Sequence, residues 1–293
     1  MFSQFFGGYL LNHNIVSKEQ LSRALDEKKN TRMRLGVLAI NEGLMTSEQV
    51  EHVNVMQQTV DMRFGDLAVQ LGYLKDQDVD DLLHKQPTDY LLLGQALVNM
   101  GALSNADFES AINDYKSTLK LDDEDISGDQ YDALSSMVSE FYHFSTAKNA
   151  RLYTNYVTLL FKSLIRFIGD DFTPLDAAIT RSAEGAFTVR QLINGAYTGQ
   201  TIISAEPDEY RSFAKRFAKD AYFESEEFDD ASVTEFLNVI NGLYAVNESN
   251  ETGTEIGLEP LTIFKHEDVA LGEEAFSIPV QFTFGEIEFI VAF

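Results

Sequence analysis

The 293-residue sequence contains no cysteine. That excludes disulfides, thiolate nucleophiles and cysteine-ligated metals, and it suits a cytoplasmic protein without requiring one. No run of 18 apolar residues occurs, so no membrane-spanning helix is expected. The opening Met1-Phe2-Ser3-Gln4-Phe5-Phe6 lacks a basic flank followed by an apolar stretch, which argues against a secretory signal. Basic residues are scarce: 22 Lys and Arg face 47 Asp and Glu, a formal net charge of -25. Such a balance disfavours a nucleic-acid polymer as partner and docking on anionic membranes, and chiefly secures solubility. The five histidines (His13, His52, His84, His143 and His266) do not fall at metal-ligand spacing, so no metal site is expected. No G-x-S-x-G, Walker or dinucleotide-binding motif is present.

What is present is a repeat. Gly7, Gly36, Gly65 and Gly94 stand 29 residues apart, and seven residues after each come Asn14, Gly43, Gly72 and Gly101. Each copy reads as a short helix between the two sites. The second site is a position just past the helix end that needs a left-handed backbone, which Gly supplies and Asn tolerates. An apolar pair follows, then a capping residue: Ser17, Thr46, Asp76 or Ser104. Ser17 with Gln20, and Thr46 with Gln49, have capping-box spacing and start a second helix. Leu21 and Leu25, or Val50 and Val53, supply its apolar positions. One such unit cannot bury its own apolar face, so copies must pack together.

The central copies carry more. Arg34-Leu35-Gly36 opens a 24-residue block ending at Gln57, and Arg63-Phe64-Gly65 opens a second ending at Gln86. This pair resembles the MshEN domain found at the N-terminus of type II secretion and pilus ATPases. The resemblance implies a cyclic di-GMP site made by Arg34, Leu35, Gly36, Gly43 and Gln57 with Arg63, Phe64, Gly65, Gly72 and Gln86. A guanidinium suits such a ligand, since it stacks on a purine and reaches a phosphate. Departures from the pattern are Ala39, Ala68 and Asn54, and the outer copies lack both the arginine and the terminal glutamine. They read as structural copies completing the stack. A helical repeat that serves only protein contacts is the competing reading, and residues 34–86, with four basic and nine acidic side chains, offer an acidic field to a dianion.

The acidic stretch 120–129 reads as an inter-domain connection. The expected organisation is therefore a helical repeat domain at 1–115, a linker and the start of a connecting helix at 116–139, and an α+β domain at 140–293. In the last, helix is expected over 131–168, 208–223 and 231–244. Strands are expected at 186–189, 201–203, 256–265, 275–283 and 286–293, with the final turn at Phe284-Gly285-Glu286. The expected architecture is a mixed sheet flanked by helices.

Within Ala231–Gly242, Phe236, Val239, Ile240 and Leu243 form one apolar face, while Glu235 and Asn238 share a polar one. Pro260 follows Asn238 after 21 intervening residues. This arrangement resembles the signature of the CheC/CheX/FliY family of chemotaxis phosphatases, and its single E-x2-N is similar to the CheX branch. By that resemblance, Glu235 pairs with a lysine of a phosphorylated CheY-type receiver domain. Asn238 orients the water that attacks the phosphoaspartate. The receiver supplies its own Mg2+, no tightly bound cofactor is needed, and a homodimer is expected. One departure is Ala231 at the leading position, where the family has an acid or serine, with Asp230 and Ser232 on either side. The function expected is a receiver phosphatase regulated by cyclic di-GMP. The alternative is a non-catalytic signalling adaptor with the repeats as scaffold.

Overall fold

The computed structural model describes residues 2–119, 131–144 and 148–293. The acidic stretch expected to be a linker lies, from 120 to 130, outside the described residues. The chain divides into two compact units, Met1–Ser127 and Gly128–Phe293.

The first unit is helical: α1 (Phe2–Asn12), α2 (Lys18–Glu27), α3 (Leu35–Asn41), α4 (Ser47–Gln57), α5 (Phe64–Gln70), α6 (Asp76–His84), α7 (Asp89–Asn99) and α8 (Asn105–Leu119). Each copy is a helix pair, as its period implies. Asn14, Gly43, Gly72 and Gly101 all have positive φ, between 54° and 77°. At each, two backbone N–H groups fold back onto the preceding helix. In the second copy Gly43 N donates to Ile40 O and Leu44 N to Ala39 O. That double return satisfies carbonyls the helix end would otherwise leave bare. Both capping boxes form, with Ser17 and Thr46 each exchanging hydrogen bonds with Gln20 and Gln49. The fourth copy substitutes Asp107 for the glutamine, accepting from Ser104 N at 2.9 Å. In the third copy the cap is Lys75 rather than Asp76: Asp78 accepts from Lys75 N at 2.8 Å, and Asp76 is already the first helical residue.

The glycine that opens the second, third and fourth copies is a packing position. A Cβ on Gly36, Gly65 or Gly94 would lie 2.7, 2.8 or 2.2 Å from Val50, Val79 or Phe108, in each case 14 residues on. The central copies also interlock reciprocally. Phe64 lies against Gly36 and Leu35 against Gly65, at 3.2 and 3.3 Å from the would-be Cβ. The first copy packs on the fourth: Phe6 is in ring contact with Tyr90, Phe108 and Tyr115. The array thus closes first copy to last instead of extending as an open stack.

The second unit contains α9 (Tyr131–Phe141), α10 (Ala150–Phe167), β1 (Phe172–Pro174), β2 (Ala178–Ala183), β3 (Phe187–Gly195), β4 (Gly199–Ala205), α11 (Pro207–Ala218), α12 (Glu226–Thr252), β5 (Ile256–Leu258), β6 (Thr262–Lys265), β7 (Val269–Phe282) and β8 (Gly285–Ala292). The α+β class is as expected, but the sheet is not mixed, because every strand pairing is antiparallel. Its order is β1-β7-β8-β4-β3-β5, with β2 also on β7 and β6 also on β3. Hairpin connections between β3 and β4 and between β7 and β8 impose that polarity.

Helices α10, α11 and α12 cover one face, with Phe213, Phe236, Ile240 and Tyr244 fully buried beneath them. On the other face the long β7 curls over, so that Val269, Leu271 and Ala275 join Ala183, Ile202, Ile290 and Ala292 in a second small core. Gln200 fastens the curl by donating to Leu271 O at 2.8 Å. Several boundaries differ from expectation. The helix expected over 131–168 is two helices, and His143 between them has φ 53°. α12 is 27 residues long, since Ser225 caps it upstream and Gly253, at φ 69°, ends it. The strand expected over 256–265 is two. The closing turn is Thr283-Phe284, because Gly285 already pairs with Phe282.

Candidate functional site

The second unit's candidate site is built on α12. Its inward residues Val233, Phe236, Leu237, Ile240 and Tyr244 are buried, so the helix cannot roll. Glu235 and Asn238 consequently share the opposite face, both exposed. Gly242, one turn on, has open space where a Cβ would stand. Leu243 and Val246 continue the exposed strip as apolar surface.

The residues flanking Ala231 do not take its place. Asp230 turns to the sheet edge, accepting from Lys265 Nζ at 2.7 Å and from Tyr210 Oη at 3.2 Å. Ser232 is buried. The helix register is therefore intact, and the leading position presents a methyl group. Lys265 also bonds Glu226 at 2.5 Å. Partial burial opposes its charge, but the two carboxylates outweigh it and hold its ammonium above the usual lysine range. Asp229 sits 4% exposed; burial raises its carboxyl, against the opposing pull of Tyr222 and Arg211.

Pro260 stands at a break in the sheet edge. β5 pairs with β3 as Ile193↔Leu258, and β6 as Arg190↔Thr262. Two residues of β3 thus face three of the edge strand, Glu259-Pro260-Leu261. A proline lacks the N–H a ladder needs and belongs at such an edge bulge. The bulge is wired to α12. Gln191 Nε2 donates to Glu259 O at 2.9 Å, and Asn241 Nδ2 donates to Gln191 Oε1 and Thr201 Oγ1, each at 2.7 Å. Tyr156 Oη completes the set by donating to Asn241 Oδ1 at 2.8 Å. Asn241 is 0% exposed and bonded at both ends of its amide. No sequence pattern marks this network; its only signal is a polar residue on the inward stripe of an amphipathic helix. Asn241→Ala strands three buried partners, and it is expected to cost about 2–4 kcal/mol of stability, read by denaturant unfolding.

In the first unit, a cleft of about 280 Å³ is lined by Arg34, Leu35, Gly36, Val37, Val50, Asn54, Gln57, Phe64, Gln95, Val98 and Asn105. It gathers five of the ten residues expected at a nucleotide site: Arg34, Leu35, Gly36, Gln57 and Phe64. Arg63, Gly43, Gly65, Gly72 and Gln86 do not line it. Gly43 and Gly72 serve as left-handed helix stops. Arg63 is exposed at the start of α5, as Arg34 is at the start of α3. The two glutamines differ: Gln57 ends α4 and donates to Met62 O at 2.9 Å, while Gln86 is exposed beyond the end of α6. The fourth copy also lines this cleft, through Gln95, Val98 and Asn105. Gln95, fully buried in the fourth copy, accepts from Arg34 N at 3.1 Å. Among the described residues no His, Asp and Glu cluster could hold a metal, and no helix is long and apolar enough to cross a membrane.

No protein-family model and no curated protein matches the chain. Among solved structures, its C-terminal half is similar to the chemotaxis protein CheX from Desulfovibrio desulfuricans, at 16% identity and a TM-score of 0.43, covering 48% of this chain and 98% of that one. A chemotactic CheC-like protein from Shewanella oneidensis is similar at 14% identity and 0.43, covering 49% and 98%. A chain of the CheX–CheY–BeF3–Mg2+ complex from Borrelia burgdorferi is similar at 16% and 0.38, covering 47% and 94%.

Proposed function

We propose that the second unit is a phosphatase for phosphorylated CheY-type receiver domains, and that the repeat unit regulates it by binding cyclic di-GMP. The observation that carries the first part is the outward pair Glu235 and Asn238, on a helix whose other face is locked to the sheet. Aspartyl phosphate is an activated acyl phosphate. Its hydrolysis needs a water placed in line with the leaving carboxylate, on phosphorus whose charge the receiver's own Mg2+ screens. Asn238 can hold that water, since its amide both donates and accepts. Glu235, one turn earlier, can anchor the receiver through a lysine.

Gly242 fits this reading. Glycine inside a helix costs about 1 kcal/mol relative to alanine, yet nothing in this unit fills the space above it. It lies on the strip that a docked partner would cover. Gly242→Ala is expected to raise stability by about 0.5–1 kcal/mol while weakening receiver association, checked by denaturant melts and a binding titration.

For the second part, the 280 Å³ cleft supplies support. Phe64, Val50 and Val98 offer an apolar slot, and Gln57, Asn54 and Arg34 offer edge contacts to a purine. Arg34→Ala combined with Arg63→Ala is expected to abolish cyclic di-GMP binding measured calorimetrically. A dinucleotide that binds but leaves both receiver binding and dephosphorylation unchanged would rule out the regulatory link.

The adaptor reading is favoured by one feature, the Ala231 methyl in place of an acid or serine. Under it the second unit binds a receiver without turning over its phosphate. Incubating phosphorylated receivers with the wild-type chain separates the two readings: faster loss of phosphate supports the phosphatase, and binding without acceleration supports the adaptor. A homodimer is part of the proposal, checked by sedimentation.

A further inference from the structure

The first unit, in a chain with 47 acidic and 22 basic side chains, contains four arginines: Arg23, Arg32, Arg34 and Arg63. Cations so outnumbered normally find carboxylate partners. In the second unit four of six do, Arg151, Arg181, Arg211 and Arg216, while Arg166 and Arg190 lack an ion pair among the described residues. None of the four arginines of the first unit has an ion-pair partner among the described residues. Three of them, Arg23, Arg32 and Arg34, line a single cleft of about 520 Å³ with Asn30, Thr31 and Asn99.

Local charge points the same way. Residues 23–34 carry five basic and two acidic side chains, a net of +3 within a chain of net -25. Lys28 is spoken for, since it is buried beside Asp89 at 3.5 Å. One carboxylate, Glu27, also lines the cleft and opposes an anion there. Against it stand three guanidinium groups, so the balance inside the cleft remains positive.

The cleft adjoins the nucleotide slot. Arg34 lines both, and Gln95, from the same copy as Asn99, fixes its backbone. One slot is largely apolar with amide edges, and the other is cationic. Together they have the chemistry of a base site next to a phosphate site.

We propose that Arg23 and Arg32, from the first repeat and the segment after it, form with Arg34 a phosphate-binding subsite for a nucleotide. The proposal rests on the nucleotide reading of the slot but assigns new residues, outside the paired motif. Guanidinium forks match phosphate oxygens in pairs, and on exposed side chains their attraction for a phosphate is weakened by salt.

The test is calorimetric titration of cyclic di-GMP, GTP and guanosine into the full chain and into Arg23→Gln/Arg32→Gln. The exposed substitutions are verified as folded by an unchanged melting temperature. Expected is a loss of at least tenfold for a phosphate-bearing probe, a shallower salt dependence, and no change for guanosine. Equal cyclic di-GMP affinity in both proteins would overturn the subsite while leaving the dinucleotide reading standing. GTP binding that depends on Arg23 and Arg32, with no cyclic di-GMP binding, would uphold the subsite and sink the dinucleotide reading. No binding of any phosphate-bearing probe to the wild type would overturn both.

Discussion

Asn238→Ala is expected to lower receiver dephosphorylation by roughly 10²-fold while leaving receiver affinity within about threefold. The magnitude follows from what one amide can do. A hundredfold corresponds to about 2.7 kcal/mol of barrier, which is within reach of a single group that positions water. The retained affinity follows from location. Asn238 is exposed and makes no hydrogen bond within the described fold, so its removal disturbs neither the buried stripe of α12 nor the Asn241 network. Leu243, Val246 and Glu235 remain to hold a partner. Glu235→Ala should show the complementary pattern, a weaker complex whose turnover recovers when receiver concentration is raised. Equal loss of binding and turnover in both variants would mean that the two side chains serve docking alone.

Gly94→Ala is expected to destabilise the repeat unit by about 2–4 kcal/mol, lowering its thermal transition by roughly 10–20 °C. The sign is informative. In an unobstructed helix the same substitution stabilises by up to about 1 kcal/mol. Here the added methyl would stand 2.2 Å from Phe108 Cε2 and 2.6 Å from Cδ2. Phe108 cannot yield, because it is fully buried and packed edge-on against Phe6 of the first copy. At Gly36 and Gly65 the nearest obstacle is a valine methyl, at 2.7 and 2.8 Å, with Phe64 and Leu35 next at 3.2 and 3.3 Å, so smaller losses are expected. A series ordered Gly94 above Gly65 and Gly36, with Gly242 of the second unit stabilising, would establish that the 29-residue period records helix-to-helix contact. Differential scanning calorimetry reads all four.

These cases indicate what the sequence could reveal. The left-handed stops at Asn14, Gly43, Gly72 and Gly101 were legible because only a residue tolerant of positive φ can occupy them. The capping boxes were legible because they are local. The closure of the first copy on the fourth was not, since it depends on Phe6 meeting Tyr115 across more than a hundred residues, and aromatic burial carries no address. The antiparallel polarity of the sheet is hidden for a related reason. The helices interspersed among strands suggested crossovers, whereas the partners of β7, namely β1, β2 and β8, all run against it. The edge strand over 256–265 looked continuous by composition, and only Pro260 marked its break. At the candidate site, Glu235 and Asn238 were found from their spacing, and the helix does present them outward together. Their setting was hidden: that Asp230 is committed to Lys265, and that Asn241 ties the helix to the Pro260 bulge, are facts of three-dimensional pairing. In the repeat unit Arg34 and Gln57 of the motif line the cleft, while Gln95 and the arginine cleft lie outside any pattern.

The most direct test of the central claim is the half-life of a phosphorylated CheY-type receiver, measured with Mg2+ in the absence and presence of this chain. Substoichiometric acceleration by wild-type protein is expected, with return to the intrinsic decay rate for Asn238→Ala, as a phosphatase requires. An unchanged half-life under conditions where the receiver is demonstrably bound would contradict it.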